Sequence, residues 1–539
     1  YSKLYKNDSL YNIASYSTGM FNTFYGPIST ASPIRPAYEA PMEAYNIYGA
    51  LNIQDFTFSF FRNYARIPTA FGNNTSNAIY NKDVYMKQDI TVANFSYRKT
   101  FNKITSITSM MTSEYNLNPF SSYRNLYTFM EKGYKYSTCT MRRMEEQLDY
   151  KSSDHFNFSA GIAIENYNAI PQSGDLNEPV NRRDHIHASY LGTSAYYRPE
   201  GLAAQFYFIK YYNVGSYLQT QFSPSDKLHF TIGARYDYNS RYGNTFNPRL
   251  GVVYKPSDNT TIKALYGSAY RAPSPSDAYS HYGSFYTTDS GRTYNSYFLH
   301  LPNPGLKPIK SYNGEVSVKQ NITDNFILNI DGYYTYIKGL LQFSDDNLTT
   351  KLYNNVFNGI PVDYIEVFTN NNRQKTYGGT IRLDWKYSIG NVNLSTFASL
   401  SYVNGLFEKG LNENEETEKD TELDFISPFM YRIGIEMKAG KFSCSPRLLL
   451  MGRQNIAGIS DTTGSIIQRQ TIPGYALLNI SARYALNKRF SAFINIHNAL
   501  NQRYKSVGFN MDLTKPVTDI FYGQREDPIR FMGGLSLTL

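Results

Sequence analysis

From about Gly215 to Leu539 the connections between apparent strands alternate strictly, one short and the next long. The short ones fall at Ser223–Asp226, Lys255–Asn259, Asn321–Asn325, Ser388–Asn391, Ala439–Lys441 and Leu486–Arg489. The long ones are polar and span Arg271–Ser311, Gly339–Thr376, Asn404–Ser427, Gly452–Pro473 and Ala499–Pro528, with Asn239–Phe246 as the brief exception. A chain that reverses tightly at one end of every strand pair and loosely at the other has the layout of an outer-membrane β-barrel, with periplasmic turns and extracellular loops. The same alternation directs the last strand inward, toward the periplasm.

Between these connections the residues alternate with period two, as half-buried strands require. Ile381, Leu383, Trp385 and Tyr387 oppose Thr380, Arg382, Asp384 and Lys386. Tyr431, Ile433, Ile435 and Met437 oppose Arg432, Gly434, Glu436 and Lys438, and the chain closes on Leu535, Leu537 and Leu539. Counting from Gly215 predicts about 13 strands. Before that point the pattern is less regular, with candidates near Asp55–Ala65, Tyr85–Arg98, Ile104–Tyr115, Asp154–Ile164 and Leu202–Tyr212. Eight or nine strands in that stretch bring the total to about 22, a width at which known barrels carry a plugged lumen.

Composition agrees. The 539 residues include 51 Tyr and 34 Phe against one Trp, Trp385. Such a chain favours strands over helices and is too aromatic for disorder. Mean hydropathy is −0.46 and no apolar run approaches the roughly 18 residues of a membrane helix, so a helical membrane protein is excluded. The formal net charge of +9 is dispersed, without the basic stripe that nucleic-acid binding requires. Cys139 and Cys444 offer neither a disulfide framework nor metal-finger spacing. No signal peptide opens the chain, which reads as a mature or trimmed form. Residues 1–44, with Pro27, Pro33, Pro36 and Pro41, read as a linker or approach to the barrel, and residues 45–539 as the barrel.

Three regions resemble the TonB-dependent outer-membrane receptor family, in the family's order. Tyr217–Gln219, Leu228–Asp237 and Asn247–Pro256 resemble its mid-barrel strands. Tyr270, Arg271, Ala272 and Pro273 resemble its aromatic-Arg-Ala-Pro box, and Asn303, Pro304 and Leu306 lie in an Asn-Pro-x-Leu-Lys-Pro box. Asn498 and Tyr504 lie in a stretch resembling the penultimate-strand motif. The resemblance covers about the last 325 residues. It implies an outer-membrane receptor of a Gram-negative bacterium that takes up a scarce small ligand such as an iron chelate, haem or cobalamin, and performs no covalent chemistry. It also implies a plug inside the barrel, the TonB energy-transducing complex, contact with lipid and lipopolysaccharide, and in some cases a surface lipoprotein. Plug and TonB-contact segment are not visible here and are expected to be removed or separate. The final Leu539 departs from the aromatic that usually ends the family. A passive porin and a barrel-embedded hydrolase are the alternative readings.

The boxes also have local physical readings. Pro273, Pro275, Pro302, Pro304 and Pro308 cannot donate to a strand ladder and so stop strands at loop mouths. Asn303 and Asn498 can cap exposed backbone. No GxSxG, GxGxxG or GxxxxGK[ST] is present, so an elbow nucleophile and the common nucleotide cradles lack support. His185 and His187 share a strand face and could pair on a metal, although a solvated strand end explains them as well.

His281 and His300 lie in the long connection between the two boxes, where haem-uptake members of the family carry an axial-ligand histidine. The chemistry requires a neutral imidazole over a flat apolar pocket, and Tyr279, Tyr282 and Tyr286 supply aromatic surface nearby. Arg271 and Arg292 would suit an anionic ligand. No intrinsic cofactor is expected; haem or a metal chelate enters as the transported ligand. The acidic stretch Glu408–Asp424 is dense enough in carboxylates for calcium, but reads more simply as a solvated loop.

Overall fold

The computed structural model describes residues 13–23, 26–37, 39–70, 75–176, 178–182, 189–190, 202–203, 207–286, 295–343, 356–357, 360–361, 365–408, 421–460, 466–510 and 521–537. Twenty-two strands belong to one barrel sheet. Its long strands pair antiparallel with their chain neighbours, beginning with Glu43–Ile53 against Phe56–Pro68 and ending with Phe490–His497 against Arg530–Leu537. At one end the reversals are tight, and several place a residue at positive φ, as two-residue hairpins demand: Gln54, Asn102, Gly390 and Gly440. At the other end lie the long connections.

The two faces of the sheet follow from register. Phe58 pairs with Phe95, Phe95 with Met110, Met110 with Met144 and Met144 with Ile164, and all five side chains are exposed. A row of exposed apolar side chains across five strands is the kind of outer face that a membrane barrel turns toward lipid. The opposite face is charged and internally paired. Arg143 bridges Glu145 at 2.6 Å and Glu165 at 3.2 Å, Tyr217 donates to Gln147 at 2.8 Å, and Arg235 grips Asp237 through two bonds of 2.7 and 2.8 Å. Glycine makes room for this inner packing. A Cβ on Gly161 would lie 2.5 Å from the Tyr217 ring, and one on Gly215 only 2.3 Å from the Arg235 guanidinium. Trp385 and Tyr387 stand exposed close to the Gly390 turn, as an interfacial aromatic pair should.

The 22 strands are reached by a different route from the one expected. Among the described residues, six barrel strands precede Ile209, not eight or nine, and short strands in the long connections make up the number. The candidate at Leu202–Tyr212 is displaced: the stave runs Ile209–Ser225, and Leu202–Ala203 is a separate two-residue strand. Ser137–Lys151 was hidden because both its faces carry charge. Glu146 lies in register with the exposed Ile162 and accepts from Ser106 at 2.6 Å and Thr108 at 2.5 Å, while Arg143 and Glu145 face inward. Part of Gly339–Thr376, read as a loop, is strand: Phe326–Phe343 and Ile365–Ile389 extend well beyond the alternating core.

The opening segment packs at the long-connection end. A short helix, Ile13–Thr18, precedes paired strands Met20–Thr23 and Gly26–Ser29. Tyr16, Phe21, Ile28 and Ile34 bury themselves against Ile79, Leu126 and Met130 from two connections of the barrel.

Candidate functional site: an aromatic chamber at the long-connection end

The Tyr270-Arg271-Ala272-Pro273 box does the mechanical work its prolines suggest. The barrel strand ends at Arg271, Pro273 is buried, and Ser274 caps a one-turn helix, Pro275–Tyr279, through a reciprocal capping box with Asp277. Tyr279 and Leu306 are buried together with Ile209 and Ala278, and Arg241 donates to the Tyr279 hydroxyl. Asn303 donates to the Phe368 carbonyl at 2.8 Å and accepts from Gly305 N–H, while Pro304 beside it is exposed. The second box therefore clamps its loop onto the Ile365–Ile389 strand. Tyr270 belongs to a separate inner-wall cavity of about 460 Å³ with Tyr217, Arg235 and Arg249. Asn498, at positive φ and buried, binds Asn479, Gln502 and Asp527, and Tyr504 packs on Tyr475 at 4.6 Å. These last two order another connection.

The clamp creates a chamber of about 790 Å³. His300 lies at its wall, 1% exposed, on strand Asn295–Leu301. That strand pairs antiparallel with Tyr282–Tyr286 and, over three residues, parallel with the upper end of Ile365–Ile389. The double pairing sets Tyr282 on one side of His300 and Glu366 on the other. The Tyr282 ring stacks on the imidazole at 4.8 Å and 11°, while Phe343 and Phe368 meet it edge-on at 5.6 and 5.2 Å. His300 Nδ1 lies 3.2 Å from Glu366 Oε1, and its Nε2 has no hydrogen-bond partner among the described residues. A carboxylate on Nδ1 selects the tautomer that leaves a lone pair on Nε2, the arrangement of a metal-ligating histidine with its supporting carboxylate.

Burial acts on the titratable groups around this centre. Burial, reinforced by His300 beside it, pushes the His281 pKa down to about 4. Burial pushes the Tyr282 hydroxyl up to about 12, assisted by the nearby Glu366 charge and a hydrogen bond to it. Tyr127, which also lines the chamber, is likewise raised by burial and by Glu366. The polar side of the chamber carries Lys135, bridged to Asp175 at 3.0 Å, and Asp277, whose charge Arg271 meets at 3.5 Å. Arg271 is exposed and paired with Asp277, outside the residues that line the chamber. Among the described residues no cluster of three metal-ligating side chains occurs, so none of them forms a ready-made cage for a bare ion.

Of the expected site residues, the structure brings His281, His300 and Tyr282 together and puts Tyr279 in the packing beneath them. Tyr286 pairs in the hairpin, its side chain lying outside the described residues, as do Arg292, His185, His187 and most of the acidic stretch. Glu408 from that stretch is ion-paired with Lys375. Glu366, Phe343, Phe368, Tyr127, Lys135 and Asp175 escaped sequence reading because no motif marks them. Only Asp277 carried a readable signal, the Ser-x-x-Asp spacing from Ser274.

The family model for TonB-dependent receptor-like β-barrels matches residues 37–499. No curated protein matches the chain. Among solved structures it is similar to a mutant ferric enterobactin receptor from Pseudomonas aeruginosa, at 13% identity and TM-score 0.66, over 93% of this chain and 70% of the other. It is also similar to the FrpB iron transporter from Neisseria meningitidis, at 13% identity and TM-score 0.58 over 96% and 74%. The copper transporter OprC matches at 14% identity and TM-score 0.58 over 92% and 71%.

Proposed function

The chain belongs to the TonB-dependent receptor-like β-barrel family, and on that premise we propose that it captures a metal complex in the His300 chamber for TonB-driven uptake across the outer membrane. The complex offers one open coordination position to His300 Nε2, with haem the first candidate. The observation that carries this reading is the buried imidazole held by Glu366 with its far nitrogen unpartnered, set in an aromatic pocket. One imidazole cannot retain a bare ion, whereas a chelate brings its remaining ligands with it. The aromatic walls match a flat complex. The nearby carboxylates are met by Lys135 and Arg271 and leave Glu366 in excess, which favours a neutral or cationic metal centre over a highly anionic chelate. The name of one similar structure as a ferric enterobactin receptor and of others as iron and copper transporters is compatible with metal-bearing cargo.

Within this reading the long-connection end faces the medium, and a plug occupies the lumen. The TonB complex pulls on that plug to release ligand inward. The test is haemin titration of the native receptor in detergent, with His300 and His281 replaced singly. Loss of a Soret shift in His300→Ala alone supports the assignment. Equal binding by both variants and the parent overturns it. Uptake that persists in cells lacking TonB would overturn the energised mechanism.

A further inference from the structure

Part of the chamber wall is a single 3₁₀ turn, Leu126–Thr128, and its construction is unusual. Asn125 and Thr128 cap one another, with Thr128 N–H donating to Asn125 Oδ1 at 2.9 Å and Asn125 N–H to Thr128 Oγ1 at 3.0 Å. The next two residues, Phe129 and Met130, both stand at positive φ, 52° and 63°. Neither is a glycine, so this left-handed pair is strained and persists only where surrounding packing over-determines it.

That packing comes from far away in sequence. Leu126 and the fully buried Met130 sit in one apolar cluster with Tyr16, Phe21, Ile28 and Ile34, and Phe129 packs against it. Polar ties reinforce the contact: Tyr80 N–H donates to the Tyr16 hydroxyl at 3.0 Å, and Ala31 N–H to Glu131 at 2.9 Å. Between Leu126 and Thr128 lies Tyr127, which points the other way and lines the chamber with Asn125. One face of the turn is therefore held by the opening segment, and the other forms the ligand-facing wall.

We propose that the opening segment, around Tyr16, Phe21, Ile28 and Ile34, is a positioning clamp: it holds the strained 125–130 turn so that Tyr127 faces Glu366 and sets the width of the chamber. Phe21 acts through Leu126 and Met130, whereas Tyr127 is the residue that meets ligand. The binding part of this inference rests on the chamber being the capture site; the mechanical part does not. Releasing the clamp lets the left-handed pair relax, and Tyr127 leaves the wall without any change in the barrel.

Two measurements on the intact receptor separate these parts. Hydrogen exchange on Phe21→Ala is expected to speed exchange at Thr128, Phe129 and Met130 by at least roughly tenfold, with the Ile104–Leu117 strand unchanged. Unchanged exchange in the turn overturns the clamp, whatever the ligand. Haemin affinity is expected to fall roughly fivefold in Tyr127→Ala and about as much in Phe21→Ala. The double variant should lose no more than either single change, because both remove one wall. Additive losses would mean that the segment acts elsewhere and would overturn the route through Tyr127. Absence of haemin binding in the parent would fault the proposed cargo, leaving the exchange result to decide the clamp. Phe21→Leu should restore both readouts, which separates the clamp from general misfolding.

Discussion

His300 and Glu366 stand opposite each other in a three-residue parallel pairing, with Nδ1 3.2 Å from Oε1, in a sheet whose long strands pair antiparallel. The parallel contact arises because strand Asn295–Leu301 leaves its hairpin and lies along the overrun of a barrel stave. It brings residues 66 apart into one hydrogen bond. Removing the carboxylate frees the imidazole to change tautomer and to rotate between Phe343 and Phe368. Glu366→Ala should therefore weaken haemin binding by about 10–100-fold while keeping the spectrum of a histidine complex. His300→Ala should abolish that spectrum.

His281 supplies a pH dependence. Its pKa falls from 6.5 in the open chain to about 4 in the folded hairpin, chiefly through burial. Its contribution to stability is thus complete above about pH 6.5 and declines as pH falls toward about 4, where the unfolded form binds a proton that the folded form resists. Hydrogen exchange over Tyr282–Tyr286 should rise across that window. In His281→Gln the rise should be absent, and its persistence would count against His281 as the sensor.

The lipid face can be probed at the Phe95–Met110–Met144–Ile164 row. Met144→Lys should destabilise the barrel by about 2–4 kcal/mol near mid-bilayer, by refolding into lipid vesicles. Gln147→Lys, on the charged inner face, should cost far less. Equal costs would reverse the assignment of the faces.

On the inner wall, Gly215→Val should force apart the Arg235–Asp237 pair, since even a Cβ there would lie 2.3 Å from the guanidinium. Asp237 is 1% exposed and would be left as an unpaired buried charge, at a cost of about 3–5 kcal/mol. Thermal unfolding in detergent measures the loss. Haemin affinity should be unaffected, because this pair lies in the inner-wall cavity and not in the chamber.

Much of the barrel could be read directly. Around Ile381–Tyr387 and Tyr431–Met437, alternation reports a sheet with one apolar and one polar face, because each side chain's direction depends only on its own strand. The failures are local and instructive. Ser137–Lys151 disguised itself because Glu146 and Arg142 put charge on the face that elsewhere is apolar, and Ser106 and Thr108 hold that Glu146 carboxylate. Tyr282, His281 and His300 could be nominated as a group from their place between two boxes. Their partners could not.

Strand class and the sidedness of short and long connections were thus set by sequence alone, through period-two patterning and turn chemistry that act within a few residues, whereas the candidate site between Arg271 and Ser311 was nominated by resemblance to the family's boxes. The chamber was decided only by tertiary structure. Glu366, Phe343 and Phe368 stand on stave extensions with no alternating signature, held in strand form by pairing with their neighbours and by the side-chain clamp of Asn303. Leu126 and Met130, either side of Tyr127, sit in a cluster whose other half lies about a hundred residues earlier. Backbone periodicity is encoded locally, but a pocket depends on which distant side chains share one space, and only the folded sheet determines that.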